Sequence, residues 1–308
     1  MGDIIHTLPA VASLRLSFPG SRITWAIEPK WGPLLEGNPH IDRILPIQRS
    51  RPGSFVRTWS ELRSIRPDIA IDFQGLLKSA LVARAARPLE LFGWATTFAR
   101  EPLASRMYTR RVEPSSRHKV DQNIELVAAA GGAQVSHDIW IPPGQPEGAL
   151  PETPYVLTHP FAGWQGKQWP LDRYEQLARQ LENEGPTLVA NVPPRRAREL
   201  AGLSHVVVHT SSLGGLIDAT RRAMAVLGLD SGPLHLAAAL QKPGVALYGP
   251  TDPARNGPWG GSIRVLRSPD AATTYKRGRG ANPCMQALTV DQVHQLLREA
   301  LRTADSRA

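Results

Sequence analysis

A carboxylate, a hydroxyl, a glycine and an imidazole stand close together at Asp230, Ser231, Gly232 and His235. They sit where the apolar run Ala225 to Leu229 meets a short apolar stretch, Leu234 to Leu240. A strand, a tight turn and a helix opened by Pro233 fit that pattern, because proline at the first helical position sacrifices no bonded N–H. Asp230 then lies at a strand's carboxyl end beside free backbone N–H groups, and His235 falls in the helix's first turn. Such a joint suits a phosphate, since the donors and the helix dipole both favour negative charge. An Asp at any strand-to-helix crossover can equally be only a helix cap, and spacing alone does not choose between the two.

Two more groups have the right chemistry for transfer to or from a phosphorylated substrate. Lys167 lies in the Gly/Trp loop A-G-W-Q-G-K-Q-W-P, just after the apolar run Tyr155 to His159. An ammonium there can neutralise a departing diphosphate, although most lysines are solvated surface charges. Asp3 precedes the first apolar helix, in a loop, where a carboxylate can accept a proton or cap the helix. The chain contains no D-x-D, the acidic pair by which metal-dependent transferases usually hold a diphosphate. We therefore expect no metal and no cofactor.

These segments carry a resemblance. D-S-G-P-L-H-L-A-A-A-L with Y-G-P-T-D-P downstream resembles the lipopolysaccharide heptosyltransferases of glycosyltransferase family 9. M-G-D-I-I-H-T-L at the start and the Lys-x-Trp-Pro loop around Lys167 match the same family in the same order. F-Q-G-L-L-K-S from Phe73 and R-E-P-L-A-S from Arg100 are most similar to its heptosyltransferase I branch. The resemblance spans nearly the whole chain. It implies a GT-B architecture, two Rossmann-like doubly wound α/β domains facing a cleft. It further implies an inverting, metal-independent transfer of heptose from ADP-heptose to Kdo of the lipopolysaccharide inner core. Asp3 takes the family's place of general base. Lys167, Asp230, Ser231, Gly232 and His235 take those of donor-binding groups, and Thr7 is a further binding group, assigned to the acceptor. At Gly214 the chain departs from the family, which has an acidic residue near the nucleotide ribose. A looser hold on the nucleotide is expected there, and Gly214→Glu is expected to tighten it. A relative with another linkage or nucleotide sugar, or a non-catalytic anion-binding protein, remains open on these residues.

Positioning such groups requires alternating strands and helices, and the chain supplies them in each half. We expect an N-terminal acceptor-binding domain over 1–141 and a linker over 142–154, where P-P-G-Q-P-E-G-A-L-P-E-T-P breaks every regular pattern. A nucleotide-sugar-binding domain over 155–289 and a terminal helix, 290–308, packed across the junction should follow. In the first half, Leu77, Ala80 and Leu81 form the expected apolar face of a helix over 76–86. An α/β domain of this kind begins with a strand feeding its first loop, and this chain starts at the loop. The first strand of the N-terminal domain is therefore expected upstream of Met1.

The net charge of +9 favours an anionic partner. No nucleic-acid-binding module accompanies it, and no G-x-G-x-x-G follows an expected strand, which argues against nucleic acid and against a dehydrogenase. Thr97 to Lys119 concentrates the basic charge, with Arg100, Arg106, Arg110, Arg111, Arg117 and Lys119 against Glu101 and Glu113. It reads either as a solvated surface or as a patch for Kdo carboxylates and phosphates, which Arg forks pair well. Arg100, Arg106 and Arg110 are the acceptor-binding candidates. No apolar run reaches the ~18 residues of a spanning helix, and the single Cys284 fits a reducing compartment. We expect a cytoplasmic protein, peripheral to the inner membrane, with Kdo-lipid A as acceptor.

Overall fold

The computed structural model of the chain describes residues 1–48, 52–275, 280 and 282–305. Two compact units emerge, one formed by Asp3–Pro142 and the other by Pro143–Ala308 together with Met1 and Gly2.

The N-terminal unit opens at Asp3 within a single helical turn, α1 (Gly2–Ile5), followed by α2 (Leu8–Ser17). Pro9 stands in the first turn of α2, where its missing N–H costs no bond. Asp3 lies within α1 rather than in an open loop, because Ile4 and Ile5 are buried and close the turn against the unit. Then follow β1 (Thr24–Ile27), β2 (Arg43–Pro46), α3 (Pro52–Ile65), β3 (Ile69–Ile71), α4 (Leu77–Ala85), β4 (Glu90–Trp94), β5 (Arg110–Val112) and α5 (Lys119–Ala129). All pairing is parallel, β1 with β2 and β3 with β4 with β5, in two sheets. α4 packs on both, with Ala85 beside Leu45 and Ile47 and Ala80 beside Leu91. Its buried face is therefore Ala80 and Ala85. Leu81, expected inside, is 42% exposed, since small side chains let the helix approach both sheets closely.

The second unit holds β6 (Tyr155–Thr158), α6 (Leu171–Glu182), β7 (Thr187–Val192), β8 (Val207–Thr210), α7 (Leu213–Arg222), β9 (Ala225–Leu229), α8 (Gly232–Ala239), β10 (Gly244–Tyr248), α9 (Pro253–Asn256), β11 (Ile263–Arg267), α10 (Pro283–Gln286) and α11 (Val290–Asp305). Six parallel strands run in the order β11-β10-β9-β6-β7-β8. Side chains alternate between two cores, as a pleated strand buried on both faces demands. Leu227, Leu229, Val245 and Leu247 face a core shared with Leu177, Leu181, Val293 and Leu297 of α6 and α11. Val226, Ala246 and Tyr248 face Ala219, Leu234 and Ala237 of α7 and α8. The terminal helix, expected to lie across the junction, thus turns its apolar stripe into the core of this unit.

The segment over 142–154, expected to be the linker, bonds to the second unit at two places. The N–H of Gln145 donates to the Gly214 carbonyl at 3.1 Å, and the Glu147 carbonyl accepts from His209 Nε2 at 2.6 Å. Gly144, at φ +84°, lets the chain turn against α7, where a Cβ would lie 2.6 Å from the Asp218 nitrogen.

Candidate active site

In the second unit the chain runs from β6 to β7 and β8 on one side, then crosses to β9, β10 and β11 on the other. The strand order therefore reverses between the neighbours β6 and β9. A parallel sheet opens a crevice at the carboxyl ends of two such strands, the usual ligand position of a doubly wound fold. Lys167 follows β6 and Asp230 follows β9, so these two residues flank the reversal.

Lys167 ends a single 3-10 turn, Gln165–Lys167, whose loop is pinned from below. Trp169, two residues on, is 1% exposed, donates its indole N–H to the Leu288 carbonyl at 2.9 Å and packs edge-on to Tyr174. The Lys167 ammonium lies 5.4 Å from the Trp164 ring centroid and 2.5 Å from Asp230 Oδ2. The same oxygen accepts the Thr251 hydroxyl at 2.7 Å, and Oδ1 accepts Asn256 Nδ2 at 3.3 Å. His235 Nε2 stands 4.0 Å from Oδ1. Asp230 is 5% exposed at its side chain, so its charge must be paired and bonded, and here it is. Next to it, Tyr248 donates to the Asn256 carbonyl at 3.1 Å, and its phenol is held well above its ordinary range by burial and then by Asp230.

Ser231 and Gly232 open α8. Ser231 has extended backbone and makes no side-chain cap bond, and its buried Oγ has no hydrogen-bond partner. An unsatisfied hydroxyl and the N–H groups at a helix start suit an anion, and the Met1 side chain lies over that start, where a Cβ at Gly232 would be 2.6 Å from Met1 Cε. The carboxylate, hydroxyl, glycine, imidazole and lysine singled out in the sequence are thus brought together. Thr251 and Asn256 were not foreseen. Thr251 stands in the Y-G-P-T-D-P stretch, the one sequence signal that could have flagged it.

A second polar cluster lines the carboxyl ends of β6, β7 and β8. His159 Nε2 meets Asn191 Oδ1 at 3.1 Å, and Asn191 Nδ2 meets His209 Nδ1 at 2.6 Å and the Ser211 hydroxyl at 2.7 Å. Asn191 uses both amide hydrogens, which fixes His209 as acceptor at Nδ1 and donor at Nε2 toward the Glu147 carbonyl. Burial brings the His159 imidazole down to about 4, Asn191 opposing and His209 adding slightly. The Glu147 carboxylate accepts the Ser212 N–H at 2.6 Å and the Ser212 hydroxyl, bonds that hold it below the usual carboxylate range. It sits beside Gly214, where a Cβ would be 3.6 Å from Glu147 Oε1. The position that lacks an acid in sequence therefore has a carboxylate next to it, supplied by the linker.

In the N-terminal unit, Arg100 Nη1 donates to Asp3 Oδ2 at 2.9 Å, both side chains being more than half exposed. Thr7 is 4% exposed, and its hydroxyl donates to the Asp3 carbonyl at 2.8 Å while accepting from Asn123 Nδ2 at 3.3 Å. It braces Asp3 from behind. Arg106 is exposed on the 3-10 turn Pro102–Met107, and Arg110 on β5 donates to Glu90 at 2.7 Å. Arg111 donates to the Ser105 carbonyl, and Lys119 stands 5.1 Å from the Trp94 centroid. The basic stretch is thus shared among a turn, a strand and a helix start.

The family model for glycosyltransferase family 9 (heptosyltransferase) matches residues 55–283. Lipopolysaccharide heptosyltransferase 1 of Pseudomonas aeruginosa is 32% identical over 283 residues, covering 85% of this chain and 79% of the relative. Its counterpart in Escherichia coli K12 is 31% identical over 299 residues, 87% of this chain and 91% of the relative. Among solved structures, E. coli heptosyltransferase WaaC with ADP superposes with a TM-score of 0.75 at 27% identity, covering 97% of this chain and 96% of that one. E. coli ADP-heptose lps heptosyltransferase II gives a TM-score of 0.80 at 23% identity, a likeness of fold. The α/β fold with parallel sheets is that of GT-B heptosyltransferases.

Proposed function

Because the chain belongs to glycosyltransferase family 9 and is a heptosyltransferase-like enzyme, we propose that it moves L-glycero-D-manno-heptose from ADP-heptose to Kdo of the lipopolysaccharide inner core. The observation that carries this reading is the set of donors at the sheet's reversal: Lys167, paired with Asp230, the unpartnered Ser231 hydroxyl and the start of α8. Its donors suit a diphosphate, and a solved relative, WaaC, is described with ADP. In the proposed step a Kdo hydroxyl gives its proton to the Asp3 carboxylate while its oxygen bonds to the anomeric carbon of heptose. The bond from that carbon to the diphosphate oxygen breaks, and its electron pair leaves on ADP. A single displacement inverts the anomeric centre. Lys167 and the N–H groups opening α8 take up the charge on the leaving diphosphate, a task that needs no metal ion.

Arg100, Arg106 and Arg110 supply forked donors for acceptor carboxylates and phosphates. The net charge of +9 suits work at an anionic lipid surface, on the cytoplasmic face of the inner membrane. No helix among the described residues is long and apolar enough to cross a membrane. Release of ADP from ADP-heptose, measured with and without Kdo-lipid A, tests the reading. Release that requires the acceptor, with one heptosyl residue gained by the acceptor, supports transfer. Tight ADP binding without acceptor-dependent release makes the chain a binding protein instead.

A further inference from the structure

Asp72 directly follows β3 and is 4% exposed, with no role in the chemistry above. Its Oδ2 accepts the Tyr108 hydroxyl at 2.7 Å and the Ser79 hydroxyl at 2.8 Å, and its Oδ1 accepts the Gln74 N–H at 3.0 Å. Burial pushes this carboxyl up, and the surrounding donors pull it back. A buried carboxylate held by neutral donors is costly, and loss of any one donor exposes the cost. Tyr108 is fixed in turn, since its ring lies where a side chain at Gly93 would be.

The turn folded around Asp72 leads straight to Arg100. Gly75 has φ +66°, and a Cβ there would lie 2.9 Å from Trp94 Cδ1 and 3.1 Å from the Arg100 nitrogen. The Gly75 carbonyl accepts the Glu101 N–H at 2.9 Å, and the Glu101 carboxylate accepts the Leu77 N–H at 2.7 Å. Trp94 closes the turn by donating to the Phe73 carbonyl at 3.1 Å. Arg100 is therefore clamped at its backbone by the segment that Asp72 shapes. That matters because the Arg100–Asp3 pair is exposed, and an exposed ion pair does not by itself hold a long side chain in one orientation.

We propose that Asp72, with Ser79 and Tyr108, is a positioning group that fixes the Arg100 backbone and so the orientation of Asp3. The proposal rests on the reading of Asp3 as the proton acceptor.

Tyr108→Phe removes one donor and keeps the ring on Gly93. Ser79→Ala removes the other donor and serves where Tyr108→Phe folds poorly. Each variant is measured for kcat and for acceptor KM with ADP-heptose and Kdo-lipid A, and for ADP affinity by calorimetry. We expect kcat over acceptor KM to fall about ten- to a hundredfold, as misplaced groups do, with ADP affinity unchanged. The decisive arm is a double-mutant cycle with Arg100→Lys. Action through Arg100 means that Tyr108→Phe costs little further in the Arg100→Lys background, whereas a general structural role gives additive losses. Additive losses, or loss of ADP affinity alongside activity, overturn the proposal. If the unaltered protein transfers no heptose, the catalytic reading itself fails and the positioning role with it.

Discussion

Asp3 and Lys167 carry opposite tasks and should fail differently. Loss of a general base typically costs ~10²–10⁴ in rate, so Asp3→Ala should lose turnover while binding ADP as before. A kcat near that of the unaltered enzyme would reduce Asp3 to an ion-pair partner of Arg100. Lys167→Ala should weaken ADP binding as well as turnover, because the ammonium meets the diphosphate before and during transfer. It should also destabilise the fold, since Asp230 is left as a buried charge without its cation. Breaking such a pair costs about 3–5 kcal/mol, and replacing both partners by neutral groups is far less harmful. Lys167→Met with Asp230→Asn should therefore melt close to the unaltered protein while remaining inactive. A double variant as unstable as Lys167→Ala alone would show that the pair does not set stability. The partners that make Asp230 tolerable, Thr251 and Asn256, could not be read in advance. They reach it from the far end of the next β-α unit, across residues whose number says nothing of their approach.

Among the elements, the start of α7 has the sharpest contrast. A Cβ at Gly214 would touch nothing closer than 3.6 Å, whereas at Gly215 it would lie 2.6 Å from Ser211 Cβ and 2.7 Å from Glu147 Cβ. Gly214→Ala should stabilise the helix by up to about 1 kcal/mol, the cost of a helical glycine relative to alanine. Gly215→Ala should destabilise it and dislodge Glu147, and equal effects in urea melts would refute the docked position. The same contact changes the expectation for Gly214→Glu. A second carboxylate beside Glu147 meets like charge, so it should not tighten ADP as an isolated acid would. The polar chain through β6, β7 and β8 adds a pH dependence. His159 titrates at about 4 in the fold and near 6.5 when unfolded. The unfolded chain therefore binds more protons between these values, so stability is complete above about pH 6.5 and falls toward pH 4. The contribution is at most about 3 kcal/mol, and less because the ring is not wholly enclosed. His159→Gln should flatten that part of the stability curve, and an unchanged curve would exclude the histidine as its cause. Much of this layer was legible beforehand. Central strands such as β9 and β10 are continuous apolar runs bounded by turn residues, and they fall at the expected residues. The strands that escaped notice, β5 and β11, lie at sheet edges, where Arg110, Arg111 and Arg264 face solvent and no apolar run forms. Glu147 escaped because a proline- and glycine-rich stretch shows no periodicity, whether it is docked or free.

At the scale of the molecule, one unit has its donors converging at the reversal of a parallel sheet, and the other has an exposed carboxylate and a basic surface. The parallel pairing follows from alternating strands and helices, which the sequence displays, whereas the strand order with its reversal between β6 and β9 does not. The family follows from collinear motifs, and 31% identity to a heptosyltransferase over most of the chain agrees with it. Neither decides which nucleotide sugar is used or where the sugar goes, because ribose and base are read by side chains that converge only in space. A panel of nucleotide sugars, each incubated with Kdo-lipid A and read by the mass of the acceptor, settles that point directly. We expect one heptosyl residue on the acceptor with ADP-heptose, and little or no gain with other nucleotides or other sugars. Equal or better transfer from a different nucleotide sugar, or no mass gain from ADP-heptose, would contradict assignment of this chain as an ADP-heptose transferase.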